Sequence, residues 1–176
     1  MSTLHVENLK GLSSGGNANK IIVPSGQTLD ASAGVITPSS GQVVQCVSRD
    51  DARGHIATTS TSYVASGVSH SITPKFADST IFIHYHIPMS HTPNSGTALV
   101  PRIYRNGTDI SSNSYSQGYH TDGNIYITMT LECRDSSHNS TSAITYEVYF
   151  RSTSGSQVFL CHNGSDTHLK LWEIKA

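Results

Sequence analysis

Asn124-Ile-Tyr-Ile-Thr-Met-Thr-Leu-Glu-Cys-Arg134 alternates apolar and polar residues with period two. A β-strand turns successive side chains to opposite faces, so Ile125, Ile127, Met129, Leu131 and Cys133 share one side while Thr128, Thr130, Glu132 and Arg134 share the other. Ala143-Ile-Thr-Tyr-Glu-Val-Tyr-Phe150 repeats the pattern, with Ile144, Tyr146, Val148 and Phe150 inward. Gln157–His162 and His168–Ile174 complete a C-terminal set of strands. Upstream, Gln42–Ser48, Ser62–Ala65, Val68–Thr73, Thr80–Ile87 and Leu99–Arg105 read the same way.

Asn106-Gly107 supplies the positive φ angles of a type I′ turn and predicts that Leu99–Arg105 pairs with the segment that follows it. Many short strands joined by polar turns predict an all-β fold, an antiparallel β-sandwich of jelly-roll type. A helical turn is expected at most within Leu4–Leu12.

Composition agrees. The 176 residues are 13% charged with a formal net charge of -1, and Ser plus Thr make up roughly a quarter of the chain, above ordinary usage. Eleven Lys and Arg against 12 Asp and Glu leave no basic stripe for a phosphate backbone, so no nucleic-acid partner is expected. No apolar run approaches the roughly 20 residues of a membrane span, and MSTLHVENLK lacks the apolar core of a signal peptide. Synthesis in a cytoplasm without membrane insertion is the expectation. Cys46, Cys133 and Cys161 are odd in number and far apart, which argues against a disulfide framework and for small buried side chains, with bridges between chains as the sharper alternative. The sequons at Asn106, Asn139 and Asn163 follow from the Ser/Thr-rich composition.

The chain divides near residue 42. Residues 1–42 are almost free of large aromatics and carry a short internal echo: Ile22-Val-Pro-Ser-Gly-Gln-Thr-Leu29 returns as Ile36-Thr-Pro-Ser-Ser-Gly-Gln-Val-Val44. Each copy reads apolar strand, Pro/Gly turn, apolar strand. One such unit cannot bury its own apolar side, so its neighbours must come from other chains. Residues 1–42 are therefore expected to form an attachment and β-shaft segment with Ile22, Leu29, Val35 and Ile36 facing a trimer axis. Residues 43–176 are expected to form the sandwich head.

The phrases Ser25–Gly34 (SGQTLDASAG), Ile36–Gln45 (ITPSSGQVVQ), Ile72–Ile81, Tyr104–Ile110, Arg151–Gly155 and Leu169–Ile174 resemble short tail-fibre-like virion structural proteins of marine and freshwater bacteriophages, cyanophages among them. The resemblance runs through nearly the whole chain. It implies a homotrimer on the virion exterior, made in the host cytoplasm, whose N-terminal segment docks on other virion proteins and precedes a jelly-roll-like head.

Three constellations are candidates for chemistry or binding. His84-Tyr-His86 lies within Ile81–Ile87, where alternation puts Phe82, His84 and His86 on one face. On a trimer axis, two imidazoles from each chain would suit an octahedral transition metal; the plain alternative is a half-exposed strand or a subunit contact, with no cofactor at all. His91, expected in a loop after Pro88, could join them. Paired carboxylates for glycoside cleavage are not evident, since Asp50 and Asp51 adjoin in an expected turn and Glu132 and Glu147 face outward. No GxSxG, HExxH or Gly-rich phosphate loop is present, and a non-enzymatic chain is expected. Finally, Ser111–Gly123 is rich in Tyr, Ser, Asn and Gly, the chemistry of adaptable recognition surfaces. Tyr115, Tyr119 and His120 are its candidates for touching a host cell-surface glycan or protein.

Two roles follow from these expectations. One is a trimeric host-recognition, receptor-binding fibre; the other is a capsid decoration or head-fibre protein that stabilises or extends a shell.

Overall fold

The computed structural model describes residues 13–16, 18, 20–28, 38–52, 54–111, 124–164 and 166–176. Among them it contains strands and no helix. The strands are β1 (Val43–Ala52), β2 (Ile56–Thr58), β3 (Val64–Ile72), β4 (Thr80–Thr92), β5 (Leu99–Arg105), β6 (Thr108–Asp109), β7 (Ile125–Asp135), β8 (Ile144–Ser152), β9 (Val158–Cys161) and β10 (Asp166–Ile174). Leu4–Leu12 lies outside the described residues.

The pairing is nested. β1 pairs with β10, β3 with β8, β4 with β7 and β5 with β6, all antiparallel. This is one long hairpin rolled up, and two further pairings, β10 with β4 and β8 with β5, zip the roll into sheets. The large sheet runs β1-β10-β4, with β7 on the other edge of β4 and β9-β2 extending its far end; the small sheet runs β3-β8-β5-β6. That is the double-sheet jelly roll expected from the alternating strands and polar turns.

Alternation also sets what lies between the sheets. Ile81, Ile83, Tyr85 and Ile87 of β4 are fully buried, and they meet Tyr146, Val148 and Phe150 of β8 in one core with Leu160, Leu169 and Leu171. Each such side chain contributes about 1.5–3 kcal/mol by leaving water. The inward set expected for β7 holds in graded form, with Met129 and Leu131 buried and Ile125, Ile127 and Cys133 half-buried.

Four strands differ from the sequence reading. β1 runs on past Ser48 to Ala52, so Asp50 and Asp51 lie in a strand paired with β10 rather than in the expected turn. Ser62–Ala65 and Val68–Thr73 are not separate: β3 runs through them with a register shift between Ala65 and Ser69. Gly67 takes φ 75° there, and the interruption is bridged by Ser66 Oγ, which donates to Val148 O (2.5 Å) and accepts from Val68 N (3.0 Å). β4 continues past Ile87 to Thr92, because a second register shift between Ile87 and Ser90 absorbs Pro88 and the positive φ of Met89. β2 was missed, being only three residues long.

The Asn106-Gly107 turn forms as expected, with φ 47° and 84°, and it closes Arg105 onto Thr108 and Tyr104 onto Asp109. The Asn106 side chain accepts from Thr145 N (2.9 Å), tying the turn to β8. Nothing lies within 4 Å of a Cβ placed on Gly107, so Gly107→Ala carries only the left-handed backbone cost, about 1–2 kcal/mol. Urea unfolding should show that loss.

Cysteine placement corrects the sequence reading in part. Cys161 is buried and Cys133 half-buried, but Cys46 is exposed on β1; all three are free thiols. Cys46 faces outward beside Trp172, its cross-strand neighbour, so alternation overrides the general tendency of cysteine to be buried.

The chain falls into two compact units, Met1–Thr37 and Pro38–Ala176. Residues just before β1 join the sandwich through Gly41 N to Lys175 O (2.8 Å) and Lys175 N to Gln42 O (2.9 Å). In the first unit, Gln27 N donates to Pro24 O at 3.1 Å across Gly26 at φ 81°. The echo makes the same turn, with Gln42 N donating to Ser39 O at 3.2 Å across Gly41, again at φ 81°. Residues 20–23 form no strand, contrary to the sequence reading. Ile21, Ile22 and Val23 are 55%, 56% and 42% exposed.

Candidate functional site

Cross-strand register arranges the outer face of the large sheet in rungs. Cys46, Trp172, Phe82 and Arg134 form one; Ser48, Lys170, His84 and Glu132 the next; Asp50, His168, His86 and Thr130 the third. His84 and His86 thus share one face, as the alternation of β4 requires. Each has a neighbour within the chain: His84 Nδ1 lies 3.0 Å from Glu132 Oε1, and the His86 ring stacks on His168 at 5.9 Å. His168 Nδ1 in turn lies 2.7 Å from Asp50 Oδ1. Phe82 and His84 pack against the Trp172 ring at 5.6 and 6.0 Å. Among the described residues of one chain, no group of three or more His, Cys, Asp and Glu is placed to hold a metal ion.

His91 does not join His84 and His86. It sits beyond the Pro88–Met89 irregularity, within β4 rather than in a loop, opposite Tyr126 of β7 and Phe159 of β9. Its ring stacks on Tyr126 at 4.1 Å and on Phe159 at 5.3 Å, and it meets His162 edge-on at 4.7 Å. His162 meets His55 at 4.5 Å. A second group of imidazoles therefore gathers where β4, β7 and β9 meet the chain leading into β2. Sequence reasoning missed it because its members are 36 and 71 residues apart and only the β4–β9 and β2–β9 pairings unite them; no local spacing carries that signal.

Tyr115, Tyr119 and His120 lie outside the described residues, as do Leu29, Val35 and Ile36 of the expected shaft. The two ends of the Tyr-rich loop are described, and both are pinned. Ser111 Oγ accepts from Ile103 N (2.6 Å) and donates to Ile103 O (3.1 Å), while Arg102 Nη1 donates to Ser111 O (3.3 Å). At the other end, Asn124 Oδ1 lies 2.9 Å from His91 Nε2. Beside Ser111, a recess of about 530 Å³ is lined by Arg102, Ser111, Thr130 and Glu132 with Pro101, Ile103 and Leu131.

On the small sheet, Tyr104 stacks on Tyr149 at 3.9 Å. Arg102 Nε donates to Tyr63 Oη (2.8 Å), and its Nη1 pairs with Asp109 Oδ2 (3.0 Å). Arg151 lies over the Tyr63 ring at 5.3 Å. Both arginines are thereby held against the Tyr63 ring.

No protein-family model matches the chain, and no curated protein matches it. Among solved structures, it is similar to the infectious bursal disease virus VP2 subviral particle, at 16% identity over 88% of this chain and 42% of that one, with a TM-score of 0.44. A structure of the Gt strain of infectious bursal disease virus matches at 15% identity over 88% of this chain and 43% of that one, with a TM-score of 0.41. The chain spans less than half the length of those proteins.

Proposed function

We propose that this chain is a non-enzymatic structural protein of a bacteriophage particle, working on the virion exterior as a homotrimeric, tail-fibre-like host-recognition module. The observation that carries the reading is the exposed apolar run Ile21-Ile22-Val23 leading into a Pro/Gly turn that the chain makes again at Ser39–Gln42. An exposed apolar segment leading into a turn gains stability when copies from neighbouring chains cover it. In this reading the N-terminal segment also docks on other virion proteins. In this reading Tyr115, Tyr119 and His120 of the Ser111–Gly123 segment contact a host cell-surface glycan or protein.

Sedimentation of the full chain tests the assembly. A species of three chains of 18.9 kDa, converted to monomer by Ile22→Asp, is the expected result. A wild-type monomer removes the proposal. The second reading is a capsid decoration or head-fibre protein that stabilises or extends the shell. Copy number per particle separates the two: on the order of tens fits a tail station, whereas a hundred or more fits the shell.

A further inference from the structure

Trp172 of β10 and Phe82 of β4 stand side by side on the outer face of the large sheet, their ring centres 5.6 Å apart, and His84 meets Trp172 edge-on at 6.0 Å. Both rings are half-buried, while Cys46, Lys170, Glu132 and Arg134 around them are exposed. A recess of about 300 Å³ opens beside Phe82, lined by Phe82, Glu132, Cys133 and Arg134. Its two charged walls are prepared differently. His84 Nδ1 lies 3.0 Å from Glu132 Oε1, which fixes the carboxylate and leaves Oε2 to accept. Arg134 has no ion pair among the described residues, so its guanidinium is left without a carboxylate partner.

Size and charge decide what this face can hold. Two partly covered aromatic rings offer at most about 150–250 Å² each, well short of the roughly 800 Å² per partner of a stable protein interface. The recess matches the small end of small-molecule sites, roughly 300 Å³ and upward. Flat aromatic surface suits the C–H face of a ring-shaped ligand, and the polar rim requires that ligand to carry hydroxyls, one of which would donate to Glu132 Oε2. An anionic group would meet Arg134 in a charge-assisted, two-pronged contact. Lys170, cross-strand from His84 on the next rung, adds a second cation. A ring with C–H faces, hydroxyls and a carboxylate is an acidic sugar.

We propose that Trp172, Phe82, Glu132 and Arg134 form a binding site for an acidic sugar, the uronic-acid unit of a polysaccharide. The aromatic pair stacks on its C–H face, Glu132 accepts from a hydroxyl and Arg134 grips its carboxylate. His84 is a positioning residue that holds Glu132. The site lies on one sheet of one chain. It therefore uses none of the Ser111–Gly123 residues and asks nothing of the trimer.

Trp172 is the only tryptophan in the chain, so its fluorescence reports on this site alone. Titration of the full chain with trigalacturonate should shift that emission saturably, and calorimetry should return the same constant. The methyl ester of the same sugar keeps the rings and hydroxyls but not the charge, and should bind on the order of tenfold more weakly, the loss of one charge-assisted contact. Arg134→Gln, at an exposed position, should remove the preference for the acid and leave ester binding unchanged. Glu132→Gln should weaken both sugars, and Arg151→Gln, on the small sheet, should change neither. No saturable binding by either measurement overturns the site, as does equal affinity for acid and ester, or a preference that survives Arg134→Gln. Acrylamide quenching of Trp172 that falls as protein concentration rises would put a second copy of the chain on this face and overturn it too.

Discussion

Glu173→Ala should remove about 3–5 kcal/mol of stability, read as a lower urea midpoint, because it orphans several donors at once. Glu173 is fully buried, yet it sits in a β10 stretch that otherwise alternates apolar-in. Its carboxylate accepts from Lys75 N and Phe76 N (2.9 Å each), Gln45 Nε2 (2.6 Å) and Ser79 Oγ (2.8 Å). These donors come from β1 and from the turn joining β3 to β4, so one side chain fastens the turn that crosses between the sheets. Burial raises the Glu173 pKa, but the hydrogen bonds from Lys75, Gln45, Phe76 and Ser79 outweigh it and hold the carboxyl below its usual range. Glu173→Gln keeps one carbonyl acceptor while turning an amide toward donors, and should recover only part of the loss.

Asp135→Ala should cost a similar amount, about 3–5 kcal/mol, through a different defect. The Asp135 side chain is 1% exposed and pairs with Arg105 Nη1 at 2.8 Å. It also accepts from Tyr146 Oη (2.8 Å) and Ser137 N (3.1 Å). Truncation leaves the half-buried Arg105 guanidinium without its counter-ion and the Tyr146 hydroxyl without an acceptor inside the core. Asp135→Asn can still accept from Tyr146 but cannot balance Arg105, so its loss should be smaller than that of Asp135→Ala. Urea unfolding of both variants, beside Tyr146→Phe, checks the order.

Both carboxylates give stability the same pH dependence. Burial raises the Asp135 pKa too, but Tyr146, Ser137 and Arg105 bring it below the usual value. A folded pKa below the unfolded one means that the contribution is complete above about pH 4.5 and is lost as pH falls through the folded values. His70 acts at higher pH, since burial and then Arg49 lower its pKa below the ordinary histidine value, so its support for the fold is lost as pH falls through that range.

Much of the fold was legible in the residues themselves. Period-two alternation identified β4, β7, β8 and β10, the inward faces of β7 and β8 and the shared face of His84 and His86, and Asn106-Gly107 announced its hairpin, because these signals are local consequences of backbone geometry. Legibility failed where side chains or irregular backbone replaced a regular ladder, as at Ser66-Gly67 and Pro88-Met89. The candidate site was half legible. His84 and His86 were placed on one outer face by alternation, but their partners Glu132 and His168 are supplied by neighbouring strands.

By itself, the sequence determined that the chain is all-β, which faces of β7 and β8 turn inward, and where the Asn106-Gly107 hairpin turn lies. Period, turn chemistry and the lack of helical patterning act over a few residues and need no knowledge of what packs where. Tertiary structure alone decided the nested pairing, the burial of Glu173 and Asp135 and the meeting of His55, His91 and His162. Those depend on which distant strands become neighbours, a choice made by the joint burial of both sheets and encoded in no single stretch.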